Sequence, residues 1–354
     1  MPDRPKPRRG VRRMQRCVRA PEHAVVGSAA AVVASVTGAA ALAALAACSG
    51  PSSPPVGTRV GPALLAALAA ADEAREPWRC AAADGPGLTD ETLTAGDRRW
   101  QLAGRAMKLD GTGDVAIGVV ADAAGSAPAT LAALGRLRGA FARVDLALSL
   151  GGMGATRAEL EAAFAALTDR AAWPLVALPG DLESVPAQTE AIAAARRRGA
   201  AVIDGRLVQR IELPGATIAL VPGAGAASRL AAGVDGCSYR AADVAAVFAD
   251  LTPREGLRIV ASAEAPRGAV GGEPTGELIL TAGAGHEIDI ALHGSTGAAT
   301  PACSGNRDGS AADLTPGSSD ATPRLPGPRR ASTAGILALR GNRWTWKPIT
   351  DVNE

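Results

Sequence analysis

Acidic and imidazole side chains lie in short segments that each follow an apolar run of strand length. These side chains are Asp122, Asp181, Glu183, Glu264 and His293. Open α/β sheets bind ligands at the carboxyl ends of their strands, so the segments could contribute to one site. Asp122, Asp181 and Glu183 are candidate oxygen ligands for at most one hard divalent cation. No other cofactor is predicted.

The same side chains have simpler interpretations. Asp122 and Asp181 could cap the helices or turns that follow their strands, and we favour this role because carboxylates accept backbone N–H bonds there. His293 could be a metal ligand or an acid–base group, but a single imidazole at a strand end more often packs locally. Ser295, beside His293, has no identified base and orienting group, which a hydrolase nucleophile needs.

From Gly113 onward, apolar runs alternate with Ala-rich segments of helical length, which predicts an α/β fold. Strands are predicted at 115–121, 146–150, 175–178, 201–203, 207–213, 217–221, 258–262, 288–292 and 335–339. Helices are predicted at 127–139, 157–167 and 186–198. The strand ends therefore alternate with helices in the order that brings several polar segments to one edge of a sheet.

Three successive strand-end segments resemble the metal-binding motifs of the calcineurin-like metallophosphoesterases, D-x-H, G-D and G-N-H-[DE]. They are Asp122-Ala123-Ala124, Gly151-Gly152 and Gly180-Asp181-Leu182-Glu183. Two later segments resemble the family's isolated-His segment and its G-H-x-H segment, namely Ala263-Glu264 and His293-Gly294-Ser295-Thr296-Gly297. The tail is similar to the N-P-G-S, P-R and A-S-Y-A elements of small bacterial members, at Pro316-Gly317-Ser318-Ser319, Pro323-Arg324 and Ala331-Ser332-Thr333-Ala334.

The resemblance covers about Gly113 to Trp346. It implies an α/β sandwich of two mixed sheets flanked by helices. In the family, two metal ions activate a water for attack on phosphorus. If that chemistry survived here, the chain would be a metal-dependent phosphoric ester hydrolase.

Most residues that bind metal in the family are replaced in this chain. Ala124 stands at the His of D-x-H, Gly152 at the bridging Asp, and Asp181 and Leu182 at the Asn and His of the third motif. Ala263 or Glu264 stands at the position of the isolated His, and Ser295 and Gly297 stand at the two His of the G-H-x-H segment. Two divalent cations without a bridging carboxylate would repel each other. The resemblance therefore implies a degenerate site that has lost its metal pair.

The amino-terminal segment has the parts of a secretory signal peptide. Residues 1–47 contain eight Lys or Arg, all before an uncharged run from Ala24 to Ala47. Leu45-Ala46-Ala47-Cys48 resembles the lipobox of bacterial lipoproteins, in which the cysteine is lipidated and becomes the first mature residue. We therefore predict export to the cell envelope and anchoring to a membrane through lipid on Cys48. Ser49 after that cysteine favours the outer membrane.

Two other interpretations of this segment are weaker. The uncharged run exceeds the roughly 20 residues that span a bilayer, but half of it is alanine and it suits transient passage better than a permanent span. The basic run suggests nucleic-acid binding, yet it precedes the predicted cleavage point. The full chain has 37 Lys or Arg and 35 acids, and after residue 47 the counts are 29 and 33, so nucleic acid is not an expected partner. Translation could begin at Met1 or Met14.

The predicted organisation has four parts. They are a signal peptide (1–47), a Pro-, Gly- and Ser-rich tether (48–61), a helix and hairpin extension (62–112) and a metallophosphoesterase-like domain (113–348) with a long loop at 303–330. If Cys48 is lipidated, three cysteines remain, and we expect Cys237 and Cys303 to form a disulfide because both lie in loops of one domain.

These features favour a membrane-tethered pseudoenzyme that binds a protein, an envelope polymer or a small ligand. An active hydrolase with a rebuilt one-metal site around Asp122 and Asp181 is the main alternative. A purely structural envelope component is the third hypothesis.

Overall fold

A computed structural model of the chain describes residues 17–18, 76–82, 84–251, 256–265, 288–294, 301–304, 312–320 and 332–351. All of them belong to one compact unit; residues Ala20–Arg75 form the other unit and are not described. The predicted cleavage point, Cys48, the tether, the helix within 62–74, and Ser295 therefore lie outside the described residues. None of the helices within these ranges is long and apolar enough to cross a membrane.

The strands are β1 (Cys17–Val18), β2 (Trp78–Arg79), β3 (Leu88–Ala95), β4 (Arg98–Gly104), β5 (Ala106–Leu109), β6 (Val115–Val120), β7 (Leu146–Leu150), β8 (Leu175–Leu178), β9 (Val202–Asp204), β10 (Arg210–Leu213), β11 (Ala216–Val221), β12 (Cys237–Ser238), β13 (Leu257–Ser262), β14 (Ile290–His293), β15 (Ala302–Ser304), β16 (Ala312–Thr315), β17 (Ser332–Arg340) and β18 (Arg343–Asp351). The helices are α1 (Pro128–Ala140), α2 (Arg157–Thr168), α3 (Val185–Arg197) and α4 (Ala241–Ala249).

Two mixed sheets carry the fold. The first has the order β1-β18-β17-β6-β7-β8-β9, and its last four strands are parallel. The second has the order β15-β16-β14-β13-β11-β10-β5-β4-β3, with β11, β13, β14 and β16 parallel. Strands β2 and β12 form a small parallel pair of their own.

The main core lies between the two sheets. Ile117 and Leu148 of the first sheet belong to the same buried cluster as Ile218, Ile259 and Leu292 of the second. Alternate residues of the first sheet face α1, α2 and α3 in a separate cluster, and α4 packs on the outer face of the second sheet. The predicted α/β sandwich of two mixed sheets flanked by helices is confirmed.

Helices α2 and α3 each begin at a side-chain cap, and neither cap is Asp122 or Asp181. Thr156 caps α2 and Glu159 completes the capping box, whereas Ser184 caps α3 through its hydroxyl. Residue Ala127 precedes α1 and provides no side-chain cap. Asp122 and Asp181 lie in the turns before those caps, so the expectation that they cap the following helices is wrong. That they cap the turns stays a prediction.

The extension and the long loop also differ from expectation. The hairpin of β3 and β4 forms, and β5 then pairs in parallel with β10, so these strands continue the second sheet. Residues 88–109 thus share a sheet with strands of the predicted phosphoesterase-like domain. Within the predicted loop at 303–330, β15 and β16 pair with each other and extend the same sheet.

Candidate functional site

The resembling segments do meet at one edge of the sandwich. The backbone N–H of Asp122 donates to Gly151 O at 3.0 Å, and that of Ala124 donates to Gly152 O at 2.8 Å. On the second sheet, Gly294 N donates to Ser262 O at 2.9 Å. The first and second motif segments are therefore bonded directly to each other through their backbones.

Two glycines allow the segments to approach this closely. Gly152 has φ +70°, and a Cβ at this position would lie 2.9 Å from Asp122 Cα and would also overlap its carboxylate. A Cβ on Gly294 would lie 2.5 Å from Ala263 O and would overlap Leu150 O. Real Cβ atoms do not come this close to backbone, so an acidic side chain does not fit at position 152 without movement of its neighbours.

The carboxylate of Glu183 lies at this edge and accepts hydrogen bonds from backbone amides. Its side chain is buried, and it accepts N–H bonds from Met153 at 2.5 Å and Gly180 at 2.8 Å. Burial raises the pKa of Glu183, and the backbone donors act against that rise. The carboxylate therefore joins the second and third segments and has its acceptor sites occupied by amides.

Glu264 forms the centre of a second buried cluster. It accepts hydrogen bonds from Gly225 N at 2.9 Å, from Arg229 Nη1 at 2.6 Å and from the hydroxyl of Tyr239. Burial raises the pKa of Glu264, whereas Tyr239, Gly225 and Arg229 act to lower it. Arg229 Nη2 also lies 3.8 Å from the carboxylate of the half-exposed Asp181. A guanidinium thus lies between Glu264 and Asp181, two of the acids that follow predicted strands.

Arg229 and Tyr239 belong to a stretch that we call the cap segment, residues 222–240. Its backbone is bonded to the third motif segment, through Gly223 N to Pro179 O at 2.8 Å and Ala231 N to Asp181 O at 2.7 Å. The cap segment therefore lies against the strand-end edge where a ligand of the fold would be expected.

A disulfide joins Cys80 to Cys237 of the cap segment. The predicted pairing of Cys237 with Cys303 is therefore wrong. Cys80 directly follows β2, and β2 pairs with β12 of the cap segment. Loop cysteines that are far apart in sequence can pair in many ways, and the strand pairing that selects this one is a tertiary feature.

His293 is buried at the end of β14, with 1% of its surface exposed. Its Nδ1 donates to Gly294 O at 3.0 Å, whereas Nε2 has no hydrogen-bond partner among the described residues. Burial lowers the pKa of His293, which favours the neutral ring. The imidazole thus packs locally.

Asp122 is held by the tail segment. Its carbonyl accepts bonds from Ser318 Oγ and from Asp320 N, both at 2.9 Å, and its backbone is left-handed with φ +50°. Ser318 and Ser319 in turn bond to Thr333 of β17. The tail element that resembles N-P-G-S therefore fixes the turn at the end of β6.

The candidate metal ligands do not form a cluster in the part of the chain that the structure describes. Within those ranges, no group of three or more His, Cys, Asp or Glu is arranged to hold a metal ion. Ala124 is exposed and Leu182 is half-buried, and neither provides a ligand atom. Gly152 leaves no space for a bridging acid, and Glu183 and Glu264 have other partners. These residues do not fit a metal pair.

The chain matches no protein-family model and no curated protein. Solved structures do match it. One is 10% identical and covers 68% of this chain and 100% of its own, with a TM-score of 0.50. Others are TT1561 of Thermus thermophilus (15% identity, 67% of this chain and 98% of that chain, TM-score 0.47) and a metallophosphoesterase from Sphaerobacter thermophilus (16%, 67% and 88%, 0.29).

Identities this low bear on the fold alone. The two mixed sheets have the predicted architecture, and their strand-end segments follow one another in the order that the motifs require. Within the described residues, the fold is therefore an α/β sandwich of two mixed sheets flanked by helices.

Several residues at this edge of the sandwich were not identified from sequence. Arg229, Tyr239 and Gly225 all contact Glu264, but they lie between predicted strands in a stretch for which we predicted no element. One signal was present, since Tyr239 is the only tyrosine in the chain. The rarity of tyrosine does not identify its partner, because Tyr239 and Glu264 are 25 residues apart in the sequence.

Proposed function

We propose that this protein is a lipid-anchored envelope protein whose metallophosphoesterase-like domain is a pseudoenzyme with a binding or scaffolding role. The observation that carries this proposal is the direct packing of the motif segments on one another, with Gly152 against Asp122. The same edge has its buried acids bonded to amides, Arg229 and Tyr239 rather than arranged around a cation site. A protein or an envelope ligand is the expected partner.

Two features support the envelope location. The signal-like segment ends at Cys48 in a lipobox-like tetrapeptide. The Cys80–Cys237 disulfide suits an oxidising compartment, because such bonds are rare where thiols are kept reduced. Two or three acyl chains, each buried methylene contributing about 0.8 kcal/mol, would hold the protein on a bilayer stably.

Metal content and turnover test the pseudoenzyme proposal. The purified full-length lipoprotein is incubated with Mn²⁺, Mg²⁺ or Ca²⁺, separated from free ion and analysed for bound metal and for hydrolysis of phosphomonoesters and phosphodiesters. We expect no stoichiometric metal and no turnover above that of the Asp122→Ala variant. Stoichiometric metal with activity that disappears in Asp122→Ala would instead establish a rebuilt hydrolase.

The anchor has its own test. Cells that express the chain are labelled with a fatty acid, and the wild type is compared with Cys48→Ala. We expect label on the wild type only, and we expect the variant to be released or to remain unprocessed, because the thiol that forms the thioether to the lipid is absent. Incorporation of label by Cys48→Ala would contradict the proposed anchor.

A further inference from the structure

Trp78 is the one large apolar side chain with high exposure in the described ranges, at 47%. The other four tryptophans are all buried, at 0% for Trp100, 3% for Trp173, 6% for Trp344 and 1% for Trp346. A single exposed apolar residue is normal on a protein surface, so exposure alone assigns no role. The position and the rigidity of Trp78 provide the further evidence.

The backbone of Trp78 is fixed to the cap segment. Its N–H donates to Gly236 O at 3.1 Å, and its carbonyl accepts from Ser238 Oγ at 3.1 Å. The disulfide of Cys80 with Cys237 follows two residues later. The backbone that carries the indole is thus held in place by hydrogen bonds and by a nearby disulfide.

Two ion pairs lie beside Trp78. Arg79 forms an ion pair with the buried Asp243, and Arg240 forms one with Glu76. These two pairs add no net charge beside the indole, while the arginine stems add apolar area. Such a surface suits the polar–apolar boundary of a bilayer, where tryptophan is enriched, and does not depend on anionic headgroups.

The chain between the lipid and Trp78 is short. Residues Ser49 to Arg75 would span on the order of 90 Å if fully extended, and the lipid on Cys48 would keep β2 within that reach of the bilayer. Tethering of this kind converts a weak contact into an intramolecular one with high effective concentration.

We infer that Trp78 docks on the membrane to which Cys48 is anchored, so that β2 and the attached cap segment face the lipid surface. This inference rests on the proposed lipid anchor. The occupant of the surface is the bilayer interface itself, and a membrane protein partner is an outcome that the test separates from it.

Fluorescence quenching tests the inference directly, because the other four tryptophans are buried. The full-length protein, with acyl chains on Cys48 verified by mass spectrometry, is reconstituted in vesicles of phosphatidylcholine and phosphatidylethanolamine, with or without brominated acyl chains. We expect brominated lipid to quench part of the emission and acrylamide to quench little of it. Trp78→Phe should remove the bromine-sensitive part, and Trp78→Phe and Trp78→Ser should leave the unfolding temperature within about a degree of the wild type.

Three results would overturn the docking inference. Lipidated, vesicle-bound protein whose emission is insensitive to bromine and fully sensitive to acrylamide would overturn it while leaving the anchor intact. Protection of Trp78 in native membranes but not in pure lipid vesicles would assign the surface to a membrane protein. Absence of acyl chains on Cys48, with no vesicle association, would overturn both proposals.

Discussion

At the scale of single residues, Gly152 accounts for the close approach of the motif segments at this edge. Gly152 has φ +70° and lies directly against Asp122, and Gly294 lets the second sheet approach the same segment. A left-handed glycine in close backbone contact is strongly constrained, since any side chain adds both strain and overlap.

An acidic residue at position 152 should therefore destabilise the protein. We expect Gly152→Asp to lower the free energy of unfolding by about 2 to 4 kcal/mol, from backbone strain and from overlap with Asp122. Urea unfolding measures the change. The matched control is Gly135→Ala in α1, where a Cβ meets nothing within 4 Å and should stabilise by about 0.5 to 1 kcal/mol. A Gly152→Asp protein that is as stable as wild type would contradict the close packing.

At the scale of elements, the cap segment is held to the sandwich by polar contacts near Arg229 and by the disulfide of Cys237. Arg229 bonds to the buried Glu264 and lies near Asp181, while Tyr239 and Gly225 provide the remaining donors to Glu264. The ion pair is buried on the Glu264 side, so removal of one partner leaves a carboxylate that is only partly satisfied.

Arg229→Met should loosen the cap segment locally. We expect a loss of about 2 kcal/mol in stability, because two donors to Glu264 remain, and faster amide hydrogen exchange in residues 222–236 than in the wild type. Exchange in α2 should change little. Arg229→Lys keeps the charge and should restore most of the protection. Equal exchange in wild type and Arg229→Met would show that the disulfide and backbone bonds are sufficient.

At the scale of the whole molecule, the Cys80–Cys237 disulfide links chain positions that are 157 residues apart. It joins the strand nearest the tether to the cap segment, and both sheets draw strands from the chain between them. A crosslink that closes so long a loop restricts the unfolded ensemble strongly, and its effect depends on how much structure that ensemble keeps.

The double variant Cys80→Ser, Cys237→Ser should be less stable than the oxidised protein by about 2 to 4 kcal/mol. Thermal unfolding with and without a dithiol reductant measures this. Reduction should lower the wild-type unfolding temperature toward that of the double variant and should leave the variant itself less affected. If oxidised wild type and the double variant unfold at the same temperature, the crosslink does not stabilise the fold.

The sequence determined the first sheet closely. Strands β7 and β8 lie at the predicted residues, and α1, α2 and α3 are within one residue of their predicted starts. Buried parallel strands are continuous apolar runs, and the helices between them are Ala-rich. Each element could therefore be predicted from its own residues. The order of the motif segments also indicated which strand ends meet.

The tertiary structure alone decided the chemistry of the edge. Helix α4 and the pairing of β5 with β10 were not predicted, and Glu183, Glu264 and Cys237 each have partners that their own segments do not indicate. Such contacts join residues that are distant in sequence, and no local pattern selects among the many possible pairs. Composition and periodicity determined where strands and helices form, whereas the packing of the sheets determined how closely the strand-end segments contact each other.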